Sequence, residues 1–181
     1  MVQVNEYYMG IALAVRKRAN CQGRSVGAVV VKDKRIVSTG YNGTAEGMKN
    51  CLDGACYRCD NPTKYAPGEG YDRCVCVHAE QNALLSAARF GIAVEGATIY
   101  TTLQPCFGCM KEMLQAKVRR VYYLHPWQPK DEPNKSQYED LAALFEGMDQ
   151  VTMKDPEEEL AMSGKRDETQ VNMDEHGHMR L

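Results

Sequence analysis

The spacing of apolar residues changes several times along the chain, and each change predicts an element. Tyr8, Ile11, Ala12 and Val15 fall at three- and four-residue intervals, which predicts a first helix ending near Asn20. Two β-branched runs follow, "VGAVVV" and "IVSTGY", joined by "KDKR" tightly enough to form a hairpin. Further on, Ala79 to Phe90 is helix-prone, "ATIYTTL" reads as a strand, Cys106 to Ala116 as a helix and "VRRVYYL" as a strand. Ser136 to Phe145 reads as a helix and "DQVTM" as a short final strand. Strands alternating with helices predict an α/β sheet covered on both faces.

Two stretches break this rhythm. Residues 42–77 are rich in Gly, Asp, Asn and Cys and hold no sustained period. A segment that long without elements of its own needs another source of order, and bound metal is one. From Asp155 onward the chain is polar and charged, which predicts a mobile tail. The expectation is therefore one domain over residues 1–154, with a Cys-rich insert at about 51–77, and a tail over 155–181 whose His176 and His178 are surface histidines.

Charge adds little by itself. A chain of 181 residues is long enough for one real core, and its net charge is -2. The segment 155–181 carries eight acids against three bases, so by subtraction residues 1–154 carry about +3. A mildly basic body suits a small anionic ligand, yet it lacks the Lys/Arg stripe of a protein that tracks a nucleic-acid backbone. No polynucleotide partner is expected. No apolar run reaches membrane-spanning length, and the N-terminal "MVQVNEYYMG" has Glu6 and no basic run, so neither membrane nor secretion is expected.

Cysteine changes the picture more. Eight are present, grouped as C-x2-C at Cys56 and Cys59, C-x-C at Cys74 and Cys76, and C-x2-C at Cys106 and Cys109. In a reducing cytoplasm, the compartment expected here, such spacings point to metal sites rather than disulfides. His78 and Glu80 open one predicted helix, while Cys106 and Cys109 open another just after Pro105. Helix N-termini stabilise negative charge and favour thiolates. One imidazole and two thiolates make three zinc ligands, with the fourth position left for water. Two residues after His78, Glu80 is placed as a proton carrier beside that water rather than as a ligand. The pattern H-x-E followed by P-C-x-x-C is the signature of zinc-dependent nucleobase deaminases, in which one Glu serves first as base and then as acid.

Roughly residues 5–125 also resemble the deoxycytidylate deaminase family, which is related to late-competence proteins of bacteria. The resemblance rests on "VGAVVV", "GYNGT", Asn50-Cys51, "HAEQNALLSAARFG", "EGATIYTTLQPCFGC" and "VRRVYY". It implies a three-layer α/β/α sandwich with a five-stranded mixed sheet. It further implies hydrolysis of dCMP to dUMP, feeding thymidylate nucleotide synthesis, by a homo-oligomer, hexamer or dimer. On this resemblance His78, Cys106 and Cys109 hold the catalytic zinc and Glu80 shuttles protons. Asn42 contacts the nucleoside, and the backbone at Ala28 and Ala79 lines the base pocket. Regulated members take dCTP or dTTP with Mg2+ near the "GYNG" loop, which makes Tyr41, Gly43 and Arg89 candidate effector residues. The plainer reading of Arg89 is a solvent-facing side chain in the last turn of a helix.

Some relatives carry a second, structural zinc, and Cys21 and Cys51 match two of its ligand positions. Four of Cys21, Cys51, Cys56, Cys59, Cys74 and Cys76 are the candidate ligands, against the alternative that the extra thiols are small buried apolar groups. Arg24 and Lys49 are phosphate-binding candidates from charge and nearness to the matched motifs alone. Competing readings are a deaminase acting on dCTP, a tRNA adenosine deaminase, a riboflavin-pathway deaminase, and a non-catalytic zinc module in a competence or assembly complex. An intact Glu80 argues against the last, because a purely structural site has no use for it.

Overall fold

The structure is a computed structural model that describes residues 2–65, 70 and 73–163. Helix α1 (Val4–Arg16) precedes a hairpin of β1 (Gly27–Lys32) and β2 (Arg35–Tyr41). A short ladder of β3 (Gly43–Thr44) and β4 (Cys76–Val77) brackets the cysteine-rich region, with a four-residue helix α2 (Tyr57–Asp60) between them. Helix α3 (Ala79–Arg89), β5 (Thr98–Leu103), α4 (Phe107–Gln115), β6 (Arg120–His125), α5 (Asn134–Ala142), β7 (Gly147–Gln150) and α6 (Glu158–Ser163) complete the order.

The main sheet has five strands in the order β2-β1-β5-β6-β7. The pairs β1–β2 and β1–β5 are antiparallel, while β5–β6 and β6–β7 are parallel, so the sheet is mixed. Alternation along the strands divides the core in two. Ala28, Val30, Ile99 and Val121 face α3, α4 and α5, where they meet Ala79, Ala83, Met110, Met113 and Tyr138. Val29, Val31, Tyr100 and Leu124 face α1, where they meet Tyr8, Met9 and Ala12. The result is the three-layer α/β/α sandwich with a five-stranded mixed sheet. Two glycines set its layer spacing: a Cβ at Gly27 would run into the α1 backbone at Ala12 and Arg16, and one at Gly40 into α3 at Ala79 and Ala83. Both helices therefore lie unusually close to the hairpin strands.

Several sequence-based expectations shift. The first helix stops at Arg16, four residues early, because the N–H groups of Lys17, Arg18 and Ala19 bond three residues back. Asn20 N–H then turns away to the Asn42 carbonyl, 3.2 Å away. The last strand is Gly147–Gln150 rather than residues 149–153, since Gly147 and Met148 find parallel partners in Arg120 and Val121. Helix α5 begins and ends earlier than expected, at Asn134 and Ala142. The insert is not featureless either: besides β3, α2 and β4 it carries one-turn 3-10 segments at Cys51–Asp53 and Pro62–Lys64.

The largest departure lies at the expected start of the tail. Asp155 is buried and accepts a bidentate pair from Arg16, Nη1 to Oδ2 at 2.5 Å and Nη2 to Oδ1 at 2.9 Å. His125 Nε2 lies 2.7 Å from the same Oδ2. The Ser25 N–H donates to the Ala161 carbonyl at 2.9 Å, and Ala161 itself is buried. Residues 155–163 are thus docked onto the ends of α1 and β6, and His176 and His178 lie outside the described residues. Burial pushes the Asp155 carboxyl up, but the hydrogen bonds from Arg16 and His125 outweigh it and hold the group well below the usual carboxylate range. A depressed native pKa contributes stability that is complete above the unfolded Asp value, about 4, and disappears as pH falls through the depressed one.

Candidate active site

The ends of two neighbouring helices on one face of the sheet bring the chemistry together. His78 is the residue before α3, and Cys106 is the residue before α4. The His78 backbone N–H donates to the Gln81 Oε1 at 2.9 Å, closing the first turn of α3. Gln81 Nε2 in turn donates to Glu112 on α4 at 2.8 Å and ties the two helices at this end. Cys109 lies in the first turn of α4 and is almost fully buried.

His78 Nδ1 lies 3.4 Å from Cys106 Sγ and 3.4 Å from Cys109 Sγ, and the two sulfurs are 3.7 Å apart. Bonds of about 2.3 Å to sulfur and about 2.0 Å to nitrogen, at tetrahedral angles, separate two sulfurs by about 3.8 Å and sulfur from nitrogen by about 3.5 Å. The three donors therefore have the separations that three vertices of a tetrahedral zinc site require, which leaves the fourth vertex for another ligand. Their electrostatics favour thiolate: the hydrogen bonds that Cys106 shares with Cys109 and His78 lower its thiol to about 4, against the cost of burial. The hydrogen bond to Cys106 raises His78 to about 9.

Glu80 sits two residues into α3, 4% exposed. Thr101 Oγ1 donates to its Oε1 at 2.9 Å, and Cys109 Sγ lies 3.5 Å from its Oε2. One oxygen is thus fixed by the sheet and the other faces the donor trio. Burial raises the carboxyl above its ordinary value, which favours a group that both takes up and releases a proton. Thr101 was not singled out in the sequence. Its signal was available in the strand alternation, because Ile99 and Thr101 share the face that α3 covers.

Ala28 pairs with Thr101 across β1 and β5, and Ala79 is the first residue of α3; both are fully buried beside Glu80. Asn42 is also buried, and part of its amide is already used: Oδ1 accepts from Val26 N–H and Nδ2 donates to the Arg24 carbonyl, each at 2.7 Å. One N–H and one lone pair remain. Arg24 and Lys49 are exposed. Tyr41 accepts from Asn82 Nδ2 through its carbonyl at 2.7 Å, and Gly43 packs against the Asn20 side chain. Arg89 is exposed in the last turn of α3, its Nη1 3.5 Å from Glu46 Oε2 in the loop after β3.

The other six cysteines form a second centre. Cys21, Cys51, Cys59 and Cys76 have their sulfurs within 4.8 Å of one another, and Cys56, Cys59 and Cys74 do likewise. Nearest separations are 3.6 Å for Cys56–Cys74, 3.8 Å for Cys21–Cys59 and 3.9 Å for Cys59–Cys74. The Gln22 backbone N–H points at Cys51 Sγ, 3.3 Å away, as it would at a thiolate. Cys76 pairs with Thr44 in the β3–β4 ladder and stands two residues before His78. The six-thiol centre thus fixes the strand that delivers the imidazole.

An α/β/α sandwich with a His/Cys/Cys trio and a buried Glu at two helix starts defines a zinc-dependent nucleobase deaminase. Residues 2–125 match the family model described as the cytidine and deoxycytidylate deaminase zinc-binding region, and the chain belongs to that family. It is 40% identical over 119 residues to the deoxycytidylate deaminase of Schizosaccharomyces pombe, covering 66% of this chain and 36% of that protein. It is 42% identical over 125 residues to the deoxycytidylate deaminase of Mycobacterium phage D29, covering 66% of this chain and 92% of that protein. The chain spans little more than a third of the length of the Schizosaccharomyces pombe relative. Among solved structures, the dCMP deaminase of cyanophage S-TIM5 in complex with dCMP and dUMP is similar with a TM-score of 0.62 and 29% identity, over 83% of this chain and 100% of that one.

Proposed function

We propose that the chain hydrolyses dCMP to dUMP and ammonia. The observation that carries the chemistry is the buried Glu80 carboxylate, held by Thr101 on one oxygen and facing the His78–Cys106–Cys109 trio with the other. The choice of dCMP is supported by the relatives named deoxycytidylate deaminase and by the cyanophage protein that binds dCMP and dUMP.

Zinc held by His78, Cys106 and Cys109 would bring the pKa of a water molecule towards 7 and make a nucleophile available near neutrality. Glu80 takes a proton from that water and passes it to the ring nitrogen beside the amino-bearing carbon. With the water oxygen now bonded to that carbon, the carboxylate takes the remaining hydroxyl proton and delivers it to the amine; the C–N bond breaks, ammonia leaves, a carbonyl remains on the ring and Glu80 returns to its starting charge. Thr101 keeps the carboxylate pointing towards the reacting carbon throughout. On this reading the backbone at Ala28 and Ala79 lines the base pocket beside Glu80, and the free half of the Asn42 amide is available to the sugar.

The same reading assigns a structural zinc to the six-thiol centre, with ligands drawn from Cys21, Cys51, Cys56, Cys59, Cys74 and Cys76. It also includes an effector site for dCTP or dTTP with Mg2+ at Tyr41, Gly43 and Arg89, supported by the exposed guanidinium beside that loop. Self-association, as dimer or hexamer, is supported by Leu85, Phe90 and Ile92, large apolar side chains exposed on and just after α3. A cytoplasmic, reduced state is the condition in which all eight thiols remain available to metal.

Ammonia release from dCMP, deoxycytidine and dCTP by the purified protein tests the substrate. The highest kcat/KM is expected for dCMP. Equal efficiency on deoxycytidine would show that the phosphate makes no contact that strengthens in the transition state. A higher value for dCTP would move the specificity to the triphosphate and leave the chemistry in place.

A further inference from the structure

The six thiols outside the active site are more than one tetrahedral ion needs. A single zinc takes four thiolates, and the group Cys21, Cys51, Cys59 and Cys76 already supplies them. Cys56 and Cys74 are left over. They are not scattered through the apolar core but face each other at 3.6 Å, and Cys74 lies 3.9 Å from Cys59, a member of the first group. Cys59 therefore belongs to both groups of converging sulfurs.

We propose that this centre binds two zinc ions, one held by Cys21, Cys51, Cys59 and Cys76 and the other by Cys56, Cys59 and Cys74, with Cys59 as a thiolate bridge. The proposal rests on the reading of the centre as a zinc site and adds an ion to it, for three per chain with the active site. Seven donor places are filled by six sulfurs, which requires one shared thiolate, and the shared residue is the one that geometry places between the groups. The nearest sulfur separations, 3.6 to 3.9 Å, surround the value of about 3.8 Å for two sulfurs on one tetrahedral zinc. Packing of thiols as small apolar groups accounts less well for the arrangement. Cys74 is partly exposed, and a backbone N–H from Gln22 is spent on Cys51 Sγ.

The two ions differ. The first has a closed set of four thiolates, three of them buried. The second has three, and its fourth place falls to solvent. The second ion is accordingly the more accessible and leaves first under a chelator. Its position matters for order in the insert: Cys56 caps the short helix α2, Cys59 lies within it, and Cys74 begins the approach to β4. The shared sulfur joins both to Cys21 and Cys51.

Metal analysis by native mass spectrometry of the full, tag-free chain, reduced and zinc-replete, is the direct test. Three zinc ions per chain are expected, falling to two in Cys74→Ser. With 113Cd in place of zinc, three resonances are expected, two of them split by coupling to each other through the shared sulfur, and this measurement needs no variant. Two ions per chain, unaltered by Cys74→Ser, would overturn the second ion and leave a single closed site. One ion per chain would overturn the structural zinc altogether. Three cadmium resonances without mutual splitting would overturn the bridge.

Discussion

Only Val77 separates Cys76 of one sulfur-bearing centre from His78 of the other, and the two centres are built by opposite means. The His78–Cys106–Cys109 trio is presented by the starts of α3 and α4, two regular helices anchored on a buried sheet. The six-thiol centre draws its sulfurs from loops, one-turn segments and a two-residue strand. The trio has a buried carboxylate against it and three donors. Neither thiol group of the other centre includes a carboxylate or a histidine. On the proposed reading the same metal chemistry serves two ends: where elements already supply order, a bound ion would be free for reaction, and where they do not, it would supply the order.

The sharpest way to break that contrast is at Glu80. Glu80→Gln is expected to lower turnover by about 10²–10⁴-fold, the range for a positioned acid–base group, with zinc content unchanged. Loss of the catalytic ion together with activity would make Glu80 a ligand, and the trio would no longer be an open site.

A paired replacement in the two centres separates chemistry from order. Cys106→Ser should reduce zinc at the trio and remove activity while moving Tm little, because α3 and α4 remain packed on the sheet. Cys56→Ser should do the reverse in kind, lowering Tm by roughly 5 °C, at about 2–4 °C per kcal/mol for a chain of this size, and lowering activity only through the placement of His78. Calorimetry alongside ammonia release reads both. Equal Tm changes from the two substitutions would erase the distinction.

The smallest expected effect concerns the hydroxyl that aims the carboxylate. Thr101→Val keeps the shape of the side chain and removes one hydrogen bond to an ionised group, worth about 1.5–3 kcal/mol where the carboxylate is buried. A fall in kcat of roughly tenfold is expected. Because the lost bond favours the charged form of Glu80, its carboxyl should rise further and the acidic limb of the rate profile should move to higher pH. The rate loss is then greater at pH 6 than at pH 8. An unmoved limb with a lower plateau would reduce Thr101 to packing.

What the sequence displayed was whatever lies close together along it. His78 and Glu80 are two residues apart, Cys106 and Cys109 three, and each pair falls at a helix start that local pattern predicts. The sandwich was legible for the same reason, since β1, β2 and β5 carry β-branched runs and β6 combines Val121 with two tyrosines. Alternation put Thr101 on one face of β5 with Ile99, but only the tertiary structure shows that α3 covers that face. Strand β7 was placed too late because Gly147 has little strand preference of its own and is held by Arg120 and its neighbours in β6. Gathering six cysteines from Cys21 to Cys76 required a chain path through an aperiodic insert, which no pattern specifies.

Residue 154 marks where hydrophobic patterning fades, and a protein engineer would be tempted to cut there. The buried pair of Arg16 and Asp155 makes that boundary false. A chain trimmed before Asp155 would keep every strand of the sheet yet leave a guanidinium in the interior without its carboxylate, a loss of the kind that costs about 3–5 kcal/mol. The limit of the folding unit is set by this ion pair, at least as far as the Ala161 carbonyl that receives Ser25, and the acidic character of the segment is what lets it close the domain rather than trail from it.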